Sequence, residues 1–392
     1  MDSLIAANIS QRPLRTAISI IGVALGVILV TLFVGLARGM MRDAAQRQAN
    51  VDAEIRFLPS GNVSLAGNPL MLQSRYADAI LHGVQPTAED PDIQPKPPIG
   101  GVAAVSAVGE YVQGSVAGIG FEMVDGLDYP SFISTTQLTL TKGRGLSDGL
   151  TPGTEYEAIV DHYYAESGKD IDGKPVHLGS RITVLGHTFT IIGIYEPSVL
   201  ARVKIPLHTM QQLLGGVENC TYLLVKCERR ELAEKVQADL RRNYPGNNVI
   251  LTEEIPALYS QTLAPVEIFL NVVIGLGLII SVLVILLAMY TTIIERTREI
   301  GILKSLGASK QFIVMTIEKE AAMISALGVV LGFAVAVIGK LTIEANTRLM
   351  IDLEPKWLVV AAMIGLMGGV IGALYPALRA ANLDPVEAIS YD

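Results

Sequence analysis

The stretch Glu295–Phe312, ERTREIGILKSLGASKQF, is a charged island between two long apolar runs. Ile268 to Ile294 precedes it, 27 residues without a charge, and Ala321 to Gly339 follows, 19 more. At about 1.5 Å per helical residue, each run is long enough for a hydrocarbon core of roughly 30 Å. An island between two spans has to lie in water on one face of the bilayer. Within it, Glu295 to Leu306 is rich in helix formers. Ile300, Leu303 and Leu306 recur at intervals of three, and Glu295 and Arg298 are spaced to pair across a turn. Gly307 supplies a stop, and Ser309 a cap for a second helix that runs on into the membrane. The pattern fits a docking helix, and it equally fits a solvated turn between spans.

Half of the 392 residues are hydrophobic and only 17% are charged, which is the composition of a membrane protein. Four uncharged runs reach spanning length: Ala17 to Ala37, Ile268 to Ile294, Ala321 to Gly339, and Trp357 to Leu378, with Pro376 marking the end of the last. The first, at 21 residues, exceeds the usual signal-peptide core of about 7 to 15 and continues as an apparent helix, so it reads as an anchor. The fold class predicted is a membrane protein of four transmembrane α-helices with a large α+β extracytoplasmic domain inserted between the first and second spans.

In segments, residues 1–16 read as a cytoplasmic juxtamembrane helix and 17–48 as the first span with a helical stalk above it. Residues 49–266 form the outer domain, 267–294 the second span, 295–320 the cytoplasmic loop and 321–339 the third span. A short outer loop, 340–356, leads to the fourth span, 357–378, and a cytoplasmic tail, 379–392. Asp384 before Pro385 is spaced to cap a terminal helix. Four spans put both termini and the island on one side. If that side is cytoplasmic, it holds eight basic flanking residues against six on the other, a weak form of the positive-inside bias.

The outer domain carries 16 Lys and Arg against 25 Asp and Glu, a net charge of −9, which argues against a nucleic-acid partner. Short β-like pieces, AEIRF, VAAVSAVG, FEMVDG, EAIVD, RITVLG, HTFTIIGIY and CTYLLVKC, are separated by Gly, Asp and Pro turns. From Pro59 to Pro98 the chain is loop-rich, and PTAEDPDIQPKPP cannot form a continuous helix or inner strand. In Glu228 to Tyr244, Leu232, Val236, Leu240 and Tyr244 repeat every four residues, as on a surface helix packed against a sheet. Cys220 and Cys227 flank a strand that holds them about 23 Å apart, too far for a disulfide, so they read as free thiols. In the spans, glycines stand at spacing four, among them Gly22 and Gly26, Gly328 and Gly332, and Gly365 and Gly369, positions that let helix backbones approach closely.

Catalytic chemistry finds no constellation. Gly145-Leu146-Ser147-Asp148-Gly149 has the spacing of a nucleophile elbow but not the strand before it or the helix after it. The five histidines form no ligand pair at helical spacing. Gly339-Lys340-Leu341 lacks the hydroxyl residue of a phosphate-binding loop. No cofactor or metal site is expected on this chain, which reads as a non-enzyme.

Three separated stretches carry a family resemblance: NISQRPLRTAISIIGVALGV at the N-terminus, the Glu295–Phe312 island, and the tail from Tyr375 to Ser390. With VDGLDY, LTLTKGRGLSD, LGSRITVLGHTFTIIGIY and VKIPLHTMQQLLG in the outer domain, they make the chain resemble the FtsX-like permease family of ABC transporters, in the branch typified by the macrolide exporter MacB. The resemblance implies a four-span subunit of the bacterial inner membrane with its large domain in the periplasm. It implies a homodimer or pseudo-symmetric dimer, bearing separate cytoplasmic ATPase subunits that hold the ATP and magnesium. A periplasmic adaptor and membrane lipid are further implied partners. The coupling helix against the ATPase would be formed by Glu295, Arg296, Arg298, Glu299, Gly301, Lys304, Ser305 and Gly307. The glycine pairs and the resemblance together lead to an expected dimer with the first two spans near its axis, Gly22 and Gly26 serving helix packing. The function implied is a permease that turns ATP-driven motion of its partner into export of an amphiphilic, peptide, drug or lipoprotein-like substrate by mechanotransmission. The alternative is an FtsX-like transducer that activates a cell-wall hydrolase without transport.

Overall fold

The first helix among the described residues, α1, spans Pro13–Ala49, and Pro13 lacks the N–H that a first helical turn leaves unbonded. A computed structural model describes residues 13–61, 70–85, 95–114, 121–255, 264–347 and 349–384. The chain divides into two compact units: residues 1–40, 264–344 and 349–392 form one, and 41–263 with 345–348 the other. Residues 1–12 of the expected juxtamembrane helix, part of the expected loop up to Pro98 and the helix expected beyond Asp384 lie outside the described residues.

In chain order the remaining helices are α2 (Tyr76–His82), α3 (Tyr129–Thr135), α4 (His162–Ser167), α5 (Leu207–Leu214), α6 (Ala233–Asn243), α7 (Ala264–Glu295), α8 (Thr297–Ser305), α9 (Lys310–Asn346) and α10 (Pro355–Asn382). Among the described residues four helices, α1, α7, α9 and α10, are long and apolar enough to cross a membrane. Their ends overrun the uncharged runs. In α9 the helix begins at Lys310, well before Ala321, because Glu318, Lys319 and Glu320 are helix formers that interrupt hydropathy but not hydrogen bonding. In α10 the helix passes through Pro376 and ends at Asn382, correcting the end expected at the proline. A proline forfeits one backbone bond, and here it is buried among Ala373, Ala377 and Ala380.

In this membrane unit the core is built from Val23, Val27, Val30 and Val34 of α1 against Ile285 and Met289 of α7, Ala321 and Ile324 of α9, and Ala361 and Ala373 of α10. Between helices so apolar there is no hydrophobic gain from leaving lipid, so association rests on close packing. Glycine makes it close. A Cβ on Gly22 would stand 2.2 Å from Val284 Cγ1, on Gly26 2.5 Å from Ser281 Oγ, and on Gly328 2.7 Å from Val23 Cβ.

In the outer unit the strands are β1 (Ile55–Leu58), β2 (Leu72–Gln73), β3 (Val102–Gly114), β4 (Phe121–Leu127), β5 (Thr139–Gly143), β6 (Glu157–Asp161), β7 (Arg181–Val184), β8 (His187–Glu196), β9 (Val203–Pro206), β10 (Asn219–Cys220), β11 (Tyr222–Cys227) and β12 (Asn248–Leu251). Ten of them make one sheet, ordered β12-β1-β11-β3-β4-β9-β6-β8-β5, with β7 on β8. The pairings are mostly antiparallel, with β4 on β9 and β6 on β8 parallel. The amphipathic segment expected at Glu228–Tyr244 is a 3₁₀ turn followed by α6, whose Val236 and Leu240 pack on Phe57, Leu223 and Val249. Strands and helices are thus segregated as in an α+β domain. Cys220 and Cys227 are both buried free thiols.

One charge pair lies inside this unit. Lys204 on β9 and Asp125 on β4 are both fully buried and 2.9 Å apart. Burial pulls the Lys204 ammonium pKa down, against the charge of Asp125. Its protons reach Asp125 Oδ2 and the carbonyls of Val199 and Ala201, at 2.9, 2.9 and 3.0 Å. Three acceptors for three donors keep the buried ammonium satisfied.

Candidate coupling site

The island is a nine-residue helix, α8, set off from α7 by a break at Arg296 (φ −105°). Arg296 stabilises that break from both sides. Its Nε donates to Glu299 Oε2 at 2.8 Å and its Nη1 lies 3.5 Å from Glu320 Oε2, the latter carboxylate nearly buried. The ion pair across this turn is therefore Arg296–Glu299, not the Glu295–Arg298 pair that spacing suggested. Ile300 and Gly301 face inward, and Ile300 joins Ile293, Ile313, Ala380 and Ala381 in a small apolar cluster.

Lys304 also turns inward. Its ammonium donates to the carbonyls of Ala381, at 3.0 Å, and of Leu383, capping the end of α10. A cation at a helix C-terminus satisfies carbonyls that have no partner in the helix and meets the negative end of its dipole. Lys310 adds a bond to Asn382 Oδ1 at 2.8 Å. Gly307 ends α8 at φ +96°, where a side chain would be strained, and Ser309 Oγ accepts the Phe312 N–H at 3.2 Å to start α9. Ser305 Oγ donates back to the Ile302 carbonyl at 2.8 Å.

What remains outward is an apolar stripe with charges beside it. Ile302, Leu303 and Leu306 are exposed, Leu306 to 80%, and Glu295, Arg298 and Glu299 are exposed along the same helical hairpin. The recess behind the helix, lined by Met289, Ile293, Arg296, Ile300, Phe312 and Glu320, holds about 60 Å³. Pockets for drug-sized molecules are on the order of 300 to 1,000 Å³, so this recess is too small for one. Among the described residues no three or more His, Cys, Asp or Glu side chains are grouped to hold a metal ion.

The sequence-predicted packing glycines sit elsewhere in this unit. The face of α1 that carries Gly22 and Gly26 is taken by Val284, Ser281 and Gly277 of α7 in the same chain. These two glycines therefore join spans within one copy and carry no argument about a second. Sequence reading missed that Lys304 and Lys310 both bond the end of α10. The tail PALRAAN could have signalled these bonds, since a helix ending in small residues leaves its last carbonyls bare for a cation.

Four spans, an α+β domain after the first and a short helix on the loop between the second and third define a membrane permease architecture. Residues 16–243 match the model of the MacB-like periplasmic core domain, and residues 271–385 that of the FtsX-like permease C-terminal region. The chain belongs to the FtsX/MacB-type permease family of ABC transporters. It is 24% identical to the uncharacterized ABC transporter permease YknZ of Bacillus subtilis over 98% of this chain and 97% of that one. It is also 24% identical to the macrolide export ATP-binding/permease protein MacB 2 of Aeromonas hydrophila, over 96% of this chain but 58% of the relative. For the pyoverdine export ATP-binding/permease protein PvdT of Pseudomonas syringae pv. tomato the figures are 23%, 96% and 57%.

Proposed function

We propose that this chain is a permease subunit of an exporter, and that a separate cytoplasmic ATPase docks on α8 and drives the outer domain through the first two spans. The observation that carries this reading is the exposed stripe Ile302, Leu303 and Leu306, flanked by Arg298 and Glu299, on a helix held from behind by Arg296 and Lys304. A rigid helix with an apolar stripe and a charged margin is a surface made for a groove. ATP and magnesium belong on the partner, since the sequence contains no GxxxxGK[ST] phosphate loop. Relatives whose names join ATP-binding to permease support the same pairing.

The proposed substrate is amphiphilic, a peptide, drug or lipoprotein-like molecule taken from the outer leaflet or the periplasm. Relatives named for macrolide and pyoverdine export favour this class. The working assembly is a dimer of permeases in the bacterial inner membrane, with lipid around the spans and an adaptor as a further periplasmic partner. Reconstitution tests the reading. Vesicles holding the chain and its ATPase should move a fluorescent amphiphile in an ATP-dependent manner. ATP turnover without any movement of amphiphile or peptide probes would contradict export and favour signalling to a hydrolase.

A further inference from the structure

The last turns of α1, from Met41 onward, belong to the outer unit. They are tied to the segment between β8 and β9 by interlocking charges. Arg202 Nη2 lies 2.6 Å from Asp43 Oδ1, and Nη1 lies 2.6 Å from Asp161 Oδ2, with Asp161 fully buried and the other two side chains largely so. The Tyr163 ring packs against the guanidinium at 4.2 Å. The second oxygen of Asp43 accepts from Arg47 Nε at 3.0 Å, and Arg47 Nη1 donates to the Leu200 carbonyl. In return the Leu200 N–H donates to the Arg47 carbonyl at 3.3 Å, and Asn50 Nδ2 donates to the Ser198 carbonyl at 2.8 Å.

The far side of that segment is fixed as well. Ser198 Oγ donates to Asp161 Oδ2 at 2.5 Å, while Asp161 Oδ1 caps α4 through the Tyr164 N–H at 2.7 Å. Lys204 holds the Val199 and Ala201 carbonyls, and Asp125 accepts the Ala201 N–H at 2.9 Å. Leu200 itself is buried with φ +50°, a conformation that a non-glycine residue keeps only where its surroundings enforce it. The path from helix to sheet is thus closed by bonds with no slack, and one planar cation bridges its two ends. A guanidinium can serve two carboxylates at once through separate nitrogens, which an ammonium does less well.

We propose that Arg202 is a positioning residue that locks the end of α1 to the outer domain, so that displacement of the helix carries the domain with it and does not bend at the junction. Its purpose rests on the permease reading, but its existence is testable on the chain alone. In full-length protein in lipid nanodiscs, spin labels at the exposed positions Gln46 and Lys174 report one distance within the outer unit. The wild type should give a single narrow distribution. Arg202→Gln should lose it, giving a broad or split one, Arg202→Lys should fall between, and Asp43→Ala should match Arg202→Gln.

Amide exchange of the sheet at Val105, Ile191 and Leu224 should be unchanged in all three variants, which a general folding contact would not allow. A narrow distribution retained in Arg202→Gln or in Asp43→Ala overturns the lock. So does broadening accompanied by lost protection across the sheet, and so does a broad distribution in the wild type. None of these results touches the permease reading, and absence of a partner ATPase would leave the distance result standing.

Discussion

A Cβ built on Gly369 of α10 would lie 1.7 Å from the Oγ of Ser325 on α9, closer than any side chain tolerates. Gly369→Ala is therefore expected to separate the two helices or twist one, at a cost of about 1–3 kcal/mol for an overpacked core. Gly275→Ala on α7 is the matched control, because nothing stands within 4 Å of its Cβ position. Thermal unfolding of the purified chain in one detergent should show a lower midpoint for the first variant only. Equal midpoints would mean that this helix contact is not tight.

Lys204→Met leaves the Asp125 carboxylate buried without its cation, and a broken buried pair costs about 3–5 kcal/mol. Lys204→Met combined with Asp125→Leu removes both charges and is expected to recover most of that loss. Urea unfolding of the two variants measures the difference. A double variant as unstable as the single would show that the Asp125 bond to the Ala201 N–H, not the ion pair, dominates.

The four spans were legible because uncharged runs of that length seldom occur outside a membrane, and β8 and β11 were legible through their apolar content between turn residues. What failed was local. The end of α10 was misjudged, since proline interrupts a sequence pattern sooner than it interrupts a helix. β9, VKIP, is buried at every position, and a lysine within it gives no sign in sequence that it is a core residue. At the island, the turn at Gly307 and the cap at Ser309 were legible from residue type. The inward turn of Lys304 was not, because its acceptors lie 77 and 79 residues away. Asp43 and Arg202 are 159 residues apart, so no spacing rule connects them.

Thiol chemistry should follow pH in a defined sense. Burial pushes Cys220 up to about 12, and burial with the nearby Glu54 pushes Cys227 up to about 11, from 9.0. Below pH 9 both thiols are neutral in folded and unfolded chains, and their contribution to stability is fully present. Above it the unfolded thiols ionise first, so stability is lost as pH rises, for Cys220 by about 1.4 kcal/mol per unit until its folded pKa is reached. Unfolding measured from pH 8 to 11 should show a shallower decline in Cys220→Ala. An identical decline would place that thiol in water.

The same burial makes the wild-type chain a quiet background for topology. A cysteine at Lys174, exposed in the outer unit, should react with an impermeant maleimide in intact spheroplasts, and one at Ser305 only after lysis. The reverse pattern would invert the orientation proposed for the chain.

The most direct measurement is ATP turnover in protein purified from its native membrane. Burying a leucine as exposed as Leu306 contributes about 1.5–3 kcal/mol, which is roughly 10- to 150-fold in affinity. The wild-type chain should bring with it an ATPase subunit and its activity, and should show no turnover once stripped of that subunit. Leu306→Glu with Arg298→Glu should remain in the membrane with Lys304 still capping α10, yet lose the partner and the activity. Turnover by the stripped chain, or full retention of the ATPase by the double variant, would contradict coupling through this helix.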